Sequence, residues 1–305
     1  MIDPTTISFP GIGIGEFTVD KVAFSIGKLE VRWYGVFITL GIICAFIVAY
    51  LHTRDDGLVP DDLLDIGLVS VIAGIVGARL YYVFCHWSNY VGDTVWQTLW
   101  NWCKIWEGGT AIPGGLLLAT FCVWLYARKK KIPFGAIMDC VVLGLLIGQI
   151  IGRWSNFMNR EYIGEVTDVF CRMGLTTGGT TYYVHPLFLY ESLWNLVGFI
   201  FLAIWTRKGK RQYDGQATLL YFVWYGLIRF LLEPLRTSPL LIPGTALRAS
   251  QVIGGGMCLV ALVILVVQSR RAHRPEDLYV NRVRAQSAAA EEKEKTPNGS
   301  EDKTV

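Results

Sequence analysis

Apolar runs of about 20 residues recur along this chain, and each is long enough to cross the roughly 30 Å hydrocarbon core of a bilayer as one helix. They fall near 31–51, 63–84, 111–127, 134–154, 186–205, 215–233 and 249–268. Of 305 residues, 52% are hydrophobic and only 17% are charged, with much of the Lys and Arg in short clusters or in the last segment. A body this apolar is neither disordered nor a coiled coil, and the repeated runs argue for one multi-span bundle rather than two soluble domains. The expected fold class is an all-α integral membrane protein, a seven-transmembrane helix bundle with an extracytoplasmic loop or cap region.

The net charge of +3 arises from basic residues scattered between apolar runs, so it points to orientation in a membrane and not to nucleic acid. One set of connections carries Arg54, then Arg128, Lys129, Lys130 and Lys131, then Arg207, Lys208, Lys210 and Arg211, then Arg270, Arg271 and Arg274. The alternate set carries Lys104, Arg160, Arg172, Arg236 and Arg248 over longer loops that also hold Asp93, Glu107 and Glu161. Excess positive charge belongs on the cytoplasmic side, which places the N-terminus outside and the C-terminus inside.

Three regions follow: an extracytoplasmic segment 1–30, a spanning domain 31–268 and a cytoplasmic tail 269–305. The alternation in FTVDKVAFSIGKLEVRW suits either a short hairpin or an interfacial helix, and 155–185 suits a small cap. The tail from about 275 is charged and without an apolar stripe, which suits disorder or a loose helix. The N-terminus has no positively charged n-region, so the first span is expected to direct insertion as well. The seven cysteines show no CxxC spacing, and a disulfide among Cys85, Cys103 and Cys171 stays open.

Ionisable side chains inside apolar runs cost about 2.5 to 3.5 kcal/mol each on insertion scales, so each is a functional candidate. Arg79 lies roughly 24 Å along an outward-running span at 1.5 Å per residue, close to the outer face. The same arithmetic puts Arg153, Arg229, Glu233, Glu191 and Tyr34 at that level, with Tyr225, Arg229 and Glu233 on one helical face at i, i+4 and i+8. Three guanidiniums against two carboxylates leave a positive excess, which suits an anionic lipid headgroup held by planar donor forks. The plainer alternative is that these groups pair with each other and lock the helices. GRWSNFMNREYIG at 152–164 adds Arg153, Asn156, Asn159 and Glu161 where the fourth span leaves the membrane. The glycines around Pro113 suit close backbone packing or a re-entrant bend, and no strand precedes them to make a dinucleotide site.

Several longer motifs resemble the prolipoprotein diacylglyceryl transferase family across about 30 to 255. They are VRWYGVFITLG at 31–41, GARLYYV at 77–83, GRWSNFMNREYIG at 152–164, HPLFLYESLWN at 185–195 and YGLIRFLLEPLR at 225–236. The resemblance implies an enzyme of the bacterial cytoplasmic membrane that moves the diacylglyceryl group of phosphatidylglycerol to the lipobox cysteine of an exported prelipoprotein. It implies that Arg153 holds the headgroup, that Arg229 stabilises the departing phosphate, and that Glu233 orients Arg229 or receives a proton. Tyr34 joins these as a candidate for the catalytic step. Arg79, Asn156, Asn159, Glu161, Gly164 and Tyr225 are then expected to shape the headgroup site. No cofactor or metal is implied; the partners are phosphatidylglycerol, the signal peptide with its lipobox and the bilayer.

The chain departs from the family where relatives carry His or Tyr before the Gly-Gly pair of the third span, since it reads AIPGG with Pro113. Proline cannot act as a base, so Tyr34, Glu233, His185 or the arginine field would serve the incoming thiol. The competing readings are a lipid transporter or scramblase, for which Asp65 and Asp139 are the inner-half candidates, and a lipid-binding paralogue without activity.

Overall fold

The computed structural model describes residues 6–27, 29–242 and 244–295. In chain order the helices are α1 (Trp33–Asp56), α2 (Pro60–Cys85), α3 (Val95–Cys103), α4 (Ile112–Lys130), α5 (Phe134–Asn159), α6 (Leu187–Arg207), α7 (Gln216–Leu232), α8 (Ala249–Ser269) and α9 (Tyr279–Lys295). The strands are β1 (Thr6–Phe9), β2 (Ile14–Thr18), β3 (Val22–Ile26), β4 (Leu29–Arg32), β5 (Met173–Thr177) and β6 (Thr180–Val184). Among the described residues six helices, α1, α2 and α5 to α8, are long and apolar enough to cross a membrane. Their outward residues, such as Leu51, Leu68 and Leu259, are more than half exposed, which suits lipid contact and would be costly in water. The 19-residue α4 is not one of the six: its last turn holds Arg128, Lys129 and Lys130, which favour the negative end of the helix dipole.

The molecule is mostly helical, as expected, and the described residues add six short strands to the helices. The alternating segment from Phe17 folds into the hairpin β3–β4 rather than an interfacial helix, and a further hairpin, β1–β2, precedes it. Gly178 and Gly179, both at positive φ, make the tight turn between β5 and β6. The tail expectation is also refined, because Tyr279–Lys295 is helical. The ends of both terminal expectations, at 1–5 and 296–305, lie outside the described residues.

Two compact units are formed. The first takes the chain up to His52 together with Met138–Asp277. Its four-stranded sheet has the order β2-β1-β5-β6, all antiparallel, so the N-terminal strand lies against the hairpin that separates α5 from α6. The inner face of that sheet buries Ile7, Phe9, Met173, Leu175 and Val184 on Phe157 of α5 and Phe188 of α6. Helices α7 and α8 approach through glycine: a Cβ on Gly226 would stand 2.6 Å from the Gly254 carbonyl oxygen. Small residues at such crossings allow the backbone contact that replaces the hydrophobic effect inside lipid.

The second unit takes Thr53–Ile137 and the segment from Leu278. Here α2 and α4 cross at Gly77 and Gly114, where a Cβ on either would meet the other's carbonyl oxygen within 2.5 Å. This is the close packing that the glycines near Pro113 suggested, and Pro113 itself occupies the first turn of α4, where its missing N–H is harmless. Val280 of α9 is buried against Gly57.

Candidate active site

The upper ends of α5, α6 and α7 in the first unit bring their ionisable side chains together. Arg153 of α5 donates through Nη2 to Glu191 Oε1 of α6 at 2.5 Å and through Nη1 to Asn156 Oδ1 at 3.2 Å. Arg229 of α7 lies between two carboxylates, with Nη1 3.3 Å from Glu191 Oε2 and Nη2 3.3 Å from Glu233 Oε2. Both Glu191 and Glu233 are fully buried within these pairs, where losing either partner would leave the other uncompensated. Arg236, just past the end of α7, approaches Glu233 Oε1 at 3.6 Å. Arg248, which precedes α8, donates to the carbonyl oxygens of Glu233 and Arg236 and pins that turn. Three guanidiniums around two carboxylates leave one positive charge unmatched.

Arg236 is a third guanidinium of this cluster within the first unit. Arg79 lies in the second unit, where it is buried and donates to the carbonyl oxygens of Asn101, Trp102, Gly108 and Gly109 at 2.5 to 2.9 Å. Its fork is taken up in holding the 101–109 segment, with the Tyr90 ring stacked at 4.8 Å.

The chain leaves α5 through two non-glycine residues in the left-handed region, Arg160 and Tyr162, at φ 57° and 58°. Each such residue costs about 1 kcal/mol or more and persists where neighbours fix it. Tyr162 is fixed by arginines: its ring centroid is 4.7 Å from Arg153, 5.4 Å from Arg229 and 5.4 Å from Arg236, and its hydroxyl accepts from Arg229 Nη1 at 2.8 Å. Burial, and then the Glu191 carboxylate, hold this phenol above its usual range, so it stays a neutral O–H.

The other sequence candidates divide. Asn159 Nδ2 donates to Glu161 Oε1 at 3.3 Å, and Glu161 N donates to Asn156 O at 2.9 Å, so these three form the rim of the turn. The N–H of Gly164 donates to His185 O at 3.1 Å, and a Cβ there would stand 2.5 Å from His185 Cβ, so only glycine fits. Tyr225 stacks on Tyr221 with ring centroids 5.7 Å apart, below Arg229 on α7. Tyr34, in the first turn of α1, is 43% exposed and stands outside the hydrogen-bonded network. His185 Nδ1 lies 3.2 Å from Tyr190 OH, which is also 3.3 Å from Cys171 Sγ. None of the seven cysteines is joined in a disulfide.

Sequence reading missed Tyr162, Arg236 and Asn195. The i, i+3 spacing of Glu233 and Arg236 was a usable signal for the second. Asn195, one turn along α6 from Glu191, is fully buried with neither amide atom hydrogen-bonded among the described residues.

The acids of the inner-half candidates are engaged in structure. Asp139 accepts from Gly215 N, Thr218 N and Thr218 Oγ1 at 2.8 to 2.9 Å, with Arg211 at 3.5 Å, and so caps the N-terminus of α7. Asp65 accepts from Tyr126 OH at 3.0 Å.

Fold and site together define a multi-span membrane protein with a buried, net-cationic cluster at one end of its helices, suited to an anionic group attached to an apolar body. The family model described as prolipoprotein diacylglyceryl transferase matches residues 21–267, and the chain belongs to that family of transferases. Among similar proteins, the phosphatidylglycerol–prolipoprotein diacylglyceryl transferase of Streptococcus suis (strain 05ZYH33) is 35% identical over 263 residues, 84% of this chain and 95% of the relative. Proteins of the same name from Streptococcus pneumoniae (strain Hungary19A-6) and Streptococcus equi subsp. zooepidemicus (strain MGCS10565) are 36% and 33% identical over 259 residues, 83% of this chain and 95% and 96% of theirs.

Proposed function

We propose that this protein transfers the diacylglyceryl group of phosphatidylglycerol to the lipobox cysteine of exported prelipoproteins, the first step of lipoprotein maturation. The observation that carries the reading is the unmatched positive charge at Arg153, Arg229 and Arg236, which share two buried carboxylates between them. The cysteine thiolate attacks the glycerol carbon bearing the phosphodiester; a C–S bond forms, the C–O bond breaks, and its electron pair leaves on the phosphate oxygen of glycerol phosphate. The phosphate gains a second negative charge in that step, and preorganised guanidiniums stabilise it by about 3 to 4 kcal/mol each. Arg153 receives the headgroup in this reading, Arg229 the departing phosphate, and Glu233 orients Arg229. The rim of Asn156, Asn159 and Glu161, with Gly164 and Tyr225, shapes the headgroup site.

The membrane placement extends the same reading. With α4 as a seventh crossing, the basic ends at 128–131, 207–211 and 270–274 face the cytoplasm of a bacterium, the N-terminus is outside, and the β2-β1-β5-β6 sheet forms the extracytoplasmic cap. The structural roles of Asp139 and Asp65 leave a transporter reading without its inner gate. The test uses purified protein in detergent with labelled phosphatidylglycerol and a lipobox peptide, scored by mass for the thioether. Wild type is expected to make product and Arg153→Ala none. A folded wild type that binds the lipid yet makes no product would mean an inactive paralogue, consistent with Pro113 at the place where relatives carry His or Tyr.

A further inference from the structure

Two carboxylates are shared among three guanidiniums here, and the partner common to all three is an uncharged ring. Arg153, Arg229 and Arg236 come from three different positions in the fold: the body of α5, the last turns of α7, and the turn beyond it. Their guanidinium carbons all lie within 5.4 Å of the Tyr162 centroid, where the electron-rich ring attracts each cation without neutralising it. A third carboxylate in that place would cancel the excess charge that the reaction needs; an aliphatic side chain would leave the cations to repel one another. Arg236 depends on the ring most, because its side chain is 28% exposed and its carboxylate partner is at 3.6 Å. The left-handed backbone at Tyr162 turns the ring into the cluster.

We infer that Tyr162 is a positioning residue for the transfer reaction: its ring is a neutral platform that fixes the three guanidiniums in register for the phosphate that develops charge. The inference rests on the transferase reading above and goes beyond it. The hydroxyl has a lesser part, accepting from Arg229 Nη1 at 2.8 Å while the same nitrogen donates to Glu191 Oε2 at 3.3 Å.

The experiment measures kcat and KM for phosphatidylglycerol in full-length wild type, Tyr162→Phe, Tyr162→Leu and Tyr162→Met, with thermal unfolding as the check on folding. Both non-aromatic variants are expected to lose about tenfold to a hundredfold in kcat with KM changed less than about threefold, the size of effect that a misplaced group produces. Phenylalanine, which keeps the ring, is expected to restore kcat to within about fivefold of wild type. Wild-type kcat in a folded leucine or methionine variant would overturn the inference. So would an equal loss in the phenylalanine variant, which would assign the effect to the hydroxyl, or a loss confined to KM, which would make Tyr162 a substrate contact. If neither non-aromatic variant folds, a phenylalanine variant with less than a tenth of wild-type kcat overturns it alone. An inactive wild type would sink the transferase reading instead, so the two failures are distinct.

Discussion

Arg229 touches three partners with one planar group, and a lysine in its place would keep the charge and lose the fork. Arg229→Lys is therefore expected to lower kcat/KM at least about a hundredfold in the thioether assay; near-normal turnover would count against phosphate recognition there. Arg79 makes the opposite prediction. Because its donors go to four carbonyls of the 101–109 segment, Arg79→Gln is expected to lower the unfolding temperature while KM for phosphatidylglycerol holds. A raised KM at unchanged stability would return Arg79 to the headgroup. Arg153, Arg229 and Glu233 were legible in the sequence because a charge inside an apolar run has no cheap explanation. Arg236 was legible only through its i, i+3 spacing from Glu233, since it lies beyond Pro234 in a loop where charges are ordinary, and Tyr162 was not, as an aromatic near an interface, where aromatics are ordinary.

Asp139 shows how an element is set by a neighbour rather than by its own sequence. Helix α7 starts at Gly215 without a capping side chain of its own, and Asp139 of α5 supplies the acceptors for Gly215 and Thr218. Asp139→Ala is expected to destabilise the protein by about 1 to 3 kcal/mol, read as a lower unfolding temperature in detergent. An unchanged unfolding temperature would mean that water replaces the cap. The helices themselves were legible because 20 apolar residues in lipid have one economical conformation. The four-stranded sheet was not, since the pairing of Thr6 with Thr176 leaves no local trace in either strand. Helix α9, one of the two forms the tail sequence allowed, was left open for another reason: its composition is polar, and the buried contact of Val280 with Gly57 comes from a segment far away in sequence.

At the scale of the whole molecule, the charge pattern makes a claim about topology that fusion reporters can check. Reporters joined after Lys131 and after Arg271 are expected to read cytoplasmic, and a reporter after Gly109 external. Identical readings after Gly109 and Lys131 would remove α4 from the set of crossings and reverse the placement of every segment before it. The sheet adds a constraint in time. Strand β1 is made first, yet its neighbour β5 leaves the ribosome about 170 residues later, which at 5 to 20 residues per second is roughly 10 to 30 s. For that interval the leading strand has one open edge, and only when β5 arrives can the aromatic floor over Phe157 and Phe188 close. The earlier strand thus waits for the later one, and closure of this sheet is timed by translation.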